Sequence, residues 1–284
     1  MIKISSLHSE APAKINLGLH ILRKRIDGYH DLATVFHRIS WADKLTALSA
    51  EKLSMTCTDH TLSCGDDNLV MRAAKLLQRT SDVNEGASMH LEKNLPHGAG
   101  IGGGSSDAAT VLLMLCELWK LNKAAIPLDS LALQLGSDVP FFLHHHTAYA
   151  EGRGEELAPM TGYHFPFSLA VIVQPIHIST QWAFRQVDVS EENRADLVEI
   201  VASNDLERWR YELVNDFEEP VFSHWPQLRE VKSHLLRSGA GFAGLTGSGS
   251  GVYGVFESYE DANEAAMEAR EDGCSTWCQP SVRP

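Results

Sequence analysis

Apolar residues fall at Ile15, Leu17, Leu19 and Ile21, a period of two that predicts a half-buried strand over "AKINLGLHIL". "RIDGYH" follows, and its Asp27-Gly28 pair is a strong short turn signal, so the chain should reverse there. "LATVFHRIS" and "KLTALSA" read as two further strands. The period then changes. In "NLVMRAAKLLQRT", residues 68–80, Leu69, Val70, Ala73, Ala74, Leu76 and Leu77 share one helical face behind an Asp/Asn cap. "ASMHLEK" returns to a strand that stops at Pro96. A glycine-dense stretch comes next and opens a helix that should run to about Trp119. A short helix near 129–135 leads to "GSDVPFF".

Past residue 158 the pattern restarts with the strand "FSLAVIVQP" (167–175). Helical stretches are expected near 180–186, 193–203 and 205–214. Then come "PQLREVKSHLLRSG" (226–239), a second glycine-rich strand region and a helix at 259–272. There is no internal repeat and no low-complexity linker. Strands and helices are grouped rather than strictly alternating, which favours an α+β fold over a doubly wound sheet. The restart divides the chain into residues 1–158 and 159–284.

Composition narrows the partners. At 284 residues, 44% hydrophobic and 21% charged, the chain reads as an ordinary globular protein. A formal charge of −13 argues against nucleic acid or an anionic membrane, yet allows a small anion at a locally positive site. Five cysteines without a CxxC pair suggest reduced thiols in a cytoplasm. Cys57, His60 and Cys64 lack the second cluster that a metal site would need. "HHH" at 144–146 is no better, since adjacent side chains of a regular element cannot all converge on one ion. Glu10 and Lys14 interrupt the N-terminal apolar run, and "VLLMLC" and "LAVIV" are too short to span a bilayer. A soluble, cytoplasmic protein is expected.

The chemistry concentrates in "PHGAGIGGGSSDAA", residues 96–109, where five glycines fill seven positions before an apolar helix. Glycine permits left-handed backbone and lets a ligand touch the chain directly. Such a loop at a helix N-terminus points several N–H groups and the positive end of the dipole at one spot. A polyphosphate is the natural guest. Gly98, Gly100 and Gly103 match GxGxxG formally, but the chain before them lacks the βαβ context of a dinucleotide fold. A Walker A loop is excluded, because no "GK[ST]" occurs anywhere.

The same stretch resembles the P-x-G-x-G-x-G-x-S-S-x-A-A loop of the GHMP kinases, among them galactokinase, homoserine kinase and mevalonate kinase. "APAKINLGL" (11–19) resembles their first motif, and "LTGSGSGVYGVF" (245–256) their glycine-rich third. "RIDGYHDL", "GSDVPFFL" and "AEGRGEEL" are similar to the branch whose acceptor is a cytidine-diphosphate-linked methylerythritol. The resemblance implies a two-domain fold, with a ribosomal-S5-domain-2-like N-terminal domain and a ferredoxin-like C-terminal domain. It implies phosphoryl transfer from ATP, with Mg²⁺, to a free hydroxyl of that small-molecule substrate, by a monomer or homodimer.

Residue by residue, the resemblance implies Lys14 and Asp138 as the catalytic pair. The plain alternative for Asp138 is an N-cap just before Val139-Pro140. Nucleotide contacts are implied for Lys93 and for Pro96, His97, Gly98, Ala99, Gly100, Ile101, Gly102, Gly103, Gly104, Ser105 and Ser106. Asp107 reads as a cap of the helix that follows. Asn16 lies two positions from Lys14, on the same strand face. It is assigned to the substrate, together with Tyr29 and His30 around the base, Thr180 and Phe184 on the other side of that base, and Gly247 and Ser248 of the third motif. No Mg²⁺ ligand is assigned.

Overall fold

The computed structural model describes residues 6–144, 146–189 and 194–281. Two compact units form, and neither is continuous in sequence. The first takes Met1–Ala13, Ser40–Leu95 and Gly102–His145; the second takes Lys14–Ile39, Pro96–Ile101 and His146–Pro284. Two long strands, β1 (Ser6–Lys24) and β2 (His30–Ala50), pair with each other, and each contributes residues to both units. The turn between them is the predicted one: Gly28 has φ +86°, and the Arg25 N–H donates to the Tyr29 carbonyl at 2.8 Å.

β2 corrects one expectation. "LATVFHRIS" and "KLTALSA" are halves of one strand of 21 residues. The residues joining them, Trp41 to Asp43, include neither Gly nor Pro to break the ladder, and the Asp43 carboxylate serves another segment rather than a local turn.

In the first unit, β3 (Ser54–Cys57) runs parallel to β4 (Gly86–Glu92), and β4 runs antiparallel to Lys44–Ala50 of β2. β4 alternates as a half-buried strand should, with Ala87, Met89 and Leu91 inward. Helix α1 (Leu69–Ser81) begins where Asn68 caps it, its side chain accepting from the Val70 N–H. It packs against α2 (Gly103–Leu118), which buries residues on all sides and is the central helix of the unit. α3 (Leu128–Leu135) and the single turn α4 (Val139–Phe142) complete it.

The second unit draws on two sheets. Thr34–Phe36 of β2 pairs with β5 (Ala148–Glu151), which forms a hairpin with β6 (Glu156–Pro159). The other is a four-stranded antiparallel sheet of β7 (Ser168–Val173), β8 (Phe242–Leu245), β9 (Gly251–Phe256) and β10 (Ser275–Gln279). Its order is β10-β7-β9-β8. Counted within the unit this is 4-1-3-2, and with helices after its first and third strands it has β-α-β-β-α-β connectivity, that of a ferredoxin-like domain. All six residues of β7 and of β9 are buried.

Between β7 and β8 lie α5 (Thr180–Gln186), α6 (Leu197–Ala202), α7 (Leu206–Glu212), α8 (Glu218–His224) and α9 (Pro226–Arg237). α10 (Tyr259–Glu271) connects β9 to β10 and packs on β7 through a stripe of Ala262, Ala265, Ala266 and Ala269. Asp196 and Asp205 cap the starts of α6 and α7, and the two helices end at Ala202 and Glu212, so both are shorter than the predicted 193–203 and 205–214; residue 193 lies outside the described residues.

Candidate active site

The glycine stretch adopts the backbone that its composition predicts. Gly98, Gly100 and Gly102 sit at φ +63°, +72° and +73°, so every second residue is left-handed. A β-carbon on Gly100 would stand 2.1 Å from the Thr246 carbonyl oxygen, and one on Gly98 2.8 Å from His177 Nδ1. The loop is therefore locked by close backbone approach as well as by φ. Its partner is the second glycine segment: the Gly251 N–H donates to the Ala99 carbonyl at 3.0 Å, and Gly247 lies at φ +54°. Asn215 holds that segment, its Nδ2 donating to the carbonyls of Leu245 and Gly247 at 2.8 and 2.9 Å.

Lys14 and Asn16 project from β1 into the same place. The Lys14 ammonium, on a residue 3% exposed, donates to the Gly100 carbonyl at 2.7 Å and to Asn16 Oδ1 at 2.6 Å. Asn16 Nδ2 donates to Thr34 Oγ1 at 2.9 Å, and the Thr34 hydroxyl donates on to the Gly18 carbonyl at 2.5 Å. The Thr246 hydroxyl donates to the Gly100 carbonyl at 3.1 Å while its oxygen accepts the Asn16 N–H at 3.2 Å. Thr34, Asn215 and His177 thus belong to this group although no sequence motif singled them out, and so does Thr246, which lies inside the third motif but was given no role there. Thr34 lies on β2 and Thr246 just past the end of β8, and only the fold brings both hydroxyls to Asn16.

In the first unit the loop ends in α2. Gly102 is its N-cap and offers no side-chain bond, so the first-turn N–H groups are left for a ligand. Ser106 Oγ is fully buried and has no hydrogen-bond partner among the described residues. Asp107 does not cap the helix. Its carboxylate turns to Lys93, whose ammonium lies 2.9 Å from it and also pairs with Asp43; the Lys93 side chain is only 6% exposed. Asp43 holds the segment leading to the loop, accepting the N–H groups of Asn94 and Leu95 at 2.6 and 2.7 Å. Two buried carboxylates share one ammonium here. Burial, with Asp43 beside it, pushes the Asp107 carboxyl up to about 7 in spite of Lys93. Lys93 stands under the loop–helix junction, 3.3 Å from where a Gly103 β-carbon would be. Asp138 stands at the N-cap position of α4, in αR conformation, and its side chain makes no capping bond to the helix.

The base-pocket candidates lie in the second unit and form three pairs. His30 stacks on Phe184, centroids 4.8 Å apart and planes 14° from parallel. Burial, with Lys24 nearby, lowers the His30 pKa, so the imidazole is neutral at physiological pH and offers one donor and one acceptor. Tyr29 instead faces Arg153, whose guanidinium lies over its ring. Thr180 and Ser248 exchange a hydroxyl hydrogen bond at 3.3 Å. Pro96 and Ser105 are half-buried, and His97 is exposed beside Gly98. Among the described residues no group of three His, Cys, Asp or Glu is placed to hold a metal ion. Of the histidine run, His144 meets Asp129 at 3.0 Å, and residue 145 lies outside the described residues.

Comparison with known proteins gives this geometry a family. Residues 68–146 match the model of the GHMP kinases N terminal domain, and residues 195–273 that of the GHMP kinases C terminal domain. A 4-diphosphocytidyl-2-C-methyl-D-erythritol kinase of Salinibacter ruber is 45% identical over 280 residues, covering 97% of this chain and 99% of its own length. One from Chlorobium limicola is 47% identical over 269 residues, 93% of each chain. A crystal structure of a 4-(cytidine 5'-diphospho)-2C-methyl-D-erythritol kinase superposes with a TM-score of 0.84 at 34% identity, over 96% of this chain and 98% of the other. With motifs, two-unit fold and full-length relatives in agreement, the chain belongs to the GHMP kinases and, within them, to the family of the 4-diphosphocytidyl-2-C-methyl-D-erythritol kinases.

Proposed function

We propose that this protein transfers the γ-phosphoryl group of ATP to the 2-hydroxyl of 4-diphosphocytidyl-2-C-methyl-D-erythritol, giving the 2-phosphate and ADP. The observation that carries the reading is the left-handed glycine run Gly98–Gly102 opening onto the uncapped N-terminus of α2. Several amide N–H groups and the helix dipole converge there on a phosphate, and Ser106 Oγ, buried without a partner, is the hydroxyl that such a ligand would satisfy. Residues 96–106 therefore take the nucleotide phosphates, with Lys93 beneath the junction. Mg²⁺ would be carried mainly on the phosphates, where it would offset their charge.

The remaining roles follow on this chain's own groups. Asp138 orients the acceptor hydroxyl and accepts its proton late, because phosphoryl transfer is loose and little proton transfer precedes bond breaking. Lys14, held to Gly100 and Asn16, offsets charge on the transferring group. Asn16, Gly247, Ser248 and Thr180 contact the acceptor; Tyr29, His30 and Phe184 receive its base. The neutral His30 imidazole supplies the edge hydrogen bonds that an aromatic face alone cannot. We place this activity in the cytoplasm, in a monomer or homodimer: the five cysteines are unpaired, and among the described residues no helix is long and apolar enough to cross a membrane.

The test is ADP release with Mg-ATP, offering 4-diphosphocytidyl-methylerythritol, mevalonate, homoserine and galactose separately against a blank without acceptor. Turnover with the cytidine-linked alcohol alone is expected. Turnover with another alcohol would retain the phosphate loop and discard the base pocket.

A further inference from the structure

The turn between β5 and β6, within residues 151–156, brings a cation to the exposed tyrosine. The Arg153 guanidinium carbon stands 4.6 Å from the centroid of the Tyr29 ring. Tyr29 is 55% exposed, so with one face under Arg153 the other is open. The turn is well anchored: the Leu32 N–H donates to the Gly152 carbonyl at 2.7 Å, and Glu155 Oε2 accepts the Arg153 backbone N–H at 2.5 Å. Glu155 Oε1 reaches Arg153 Nε at a long 3.4 Å. The two terminal nitrogens of Arg153 make no hydrogen bond among the described residues.

Two arginines at the β1–β2 turn are committed elsewhere. Arg23 and Arg25 both hold Asp31, at 2.5 and 2.7 Å, and Arg25 also holds Asp27 at 3.1 Å. A chain of net charge −13 that takes a diphosphate-bearing acceptor needs a local cation with donors to spare. Arg153 has the fork geometry that grips two phosphate oxygens at once, and it is preorganised by its stack on Tyr29 and by Glu155.

We propose that Arg153 binds the diphosphate of the acceptor. The base stacks on the open face of Tyr29. The 5′-diphosphate extends past the ring edge, and there the terminal N–H groups of Arg153, on the opposite face, donate to its oxygens. This assignment rests on the cytidine-linked acceptor of the proposed function.

The experiment compares wild type with Arg153→Gln and Arg153→Lys, titrating each with CDP and with cytidine and measuring KM for the acceptor and for ATP. Arg153→Gln should weaken CDP and raise acceptor KM about tenfold or more, as loss of a charge-assisted pair does. Cytidine affinity should stay within about twofold, since the tyrosine face remains. Arg153→Lys should recover part of the loss, because charge returns without the two-pronged geometry. An unchanged KM for ATP certifies the fold and separates the acceptor's diphosphate from the nucleotide's. Equal losses for CDP and cytidine would reduce Arg153 to a brace for the ring, and unchanged CDP binding would remove it from the phosphate; either overturns the assignment. If wild type binds neither CDP nor cytidine, the cytidine-linked reading itself falls, and this assignment with it.

Discussion

Lys14 is a buried ammonium held by a carbonyl and an amide oxygen, at Gly100 and Asn16. Replacing it with methionine keeps the stem and removes the charge and both bonds. If the charge stabilises the transferring phosphoryl group, Lys14→Met should lower kcat by about 10²–10³ while changing the KM for ATP little. A rise in the KM for ATP at constant kcat would make Lys14 a ground-state ligand instead. Gly100 tests the loop itself. An alanine there needs φ +72° and puts its β-carbon into the Thr246 carbonyl, so Gly100→Ala should cost about 2 kcal/mol or more of stability, read as a lower denaturant midpoint. At this scale the sequence was legible wherever a motif was local. "AKIN" told that residues 14 and 16 share a face, and the glycine density told that backbone would be approached closely. The roles of Thr34, Thr246 and Asn215 were not legible, because a lone threonine or asparagine carries no period, and the meeting of the two threonines with Asn16 and of Asn215 with the Leu245 and Gly247 carbonyls exists only in the fold.

Helix α2 joins the glycine loop to a buried charge network, and that network should make the stability of the protein depend on pH. The Asp107 carboxyl is raised from the ordinary carboxylate range to about 7 by burial and by Asp43. In the unfolded chain it ionises near 4, so between about pH 4 and 7 the native state binds the extra proton. Its contribution is therefore fully present below about pH 4 and lost as pH rises through about 7. His37 acts in the opposite sense: half-buried, with desolvation lowering it to about 4, it costs stability as pH falls below about 6.5. At pH 6.5 the unfolded-state His37 imidazole is still half protonated, and only above about pH 7.5 is it largely neutral in both states, so the slope from Asp107 is read as the difference between wild type and Asp107→Asn, in which the histidine contribution cancels. Between about pH 4 and 8 the urea midpoint of wild type should fall with rising pH relative to that of Asp107→Asn. Parallel slopes would mean that Asp107 is already ionised. The existence of α1, α2, α9 and α10 could be read from period and caps. The continuity of β2 could not, since an Asp beside an apolar strand reads as a turn until Asn94 and Leu95 are seen to use it. The hairpin of β5 and β6 was missed as well, its four-residue strands being too short to establish a period.

For the whole molecule, grouping of strands and helices was enough to indicate α+β, while the 4-1-3-2 order of the second unit was not accessible, because period reports which face a strand buries and not which strand lies beside it. The end-to-end likeness to kinases of one acceptor then makes binding and turnover separable properties of the intact protein, and Asp138 is where they should part. A nucleotide that binds only the native state stabilises it by about 2.7 kcal/mol at a hundredfold excess over Kd. For a chain of this size that is roughly 5–10 °C in Tm. ADP should raise the Tm of wild type by that order, and of Asp138→Asn equally, since the amide keeps the size of the carboxylate and the phosphates rest on residues 96–106. Turnover should nevertheless fall by about 10²–10⁴, the usual range for a displaced general base. A variant that loses the thermal shift together with its activity would place Asp138 on the nucleotide. One that keeps both would remove it from the chemistry and leave the acceptor hydroxyl to be oriented by another group of this chain.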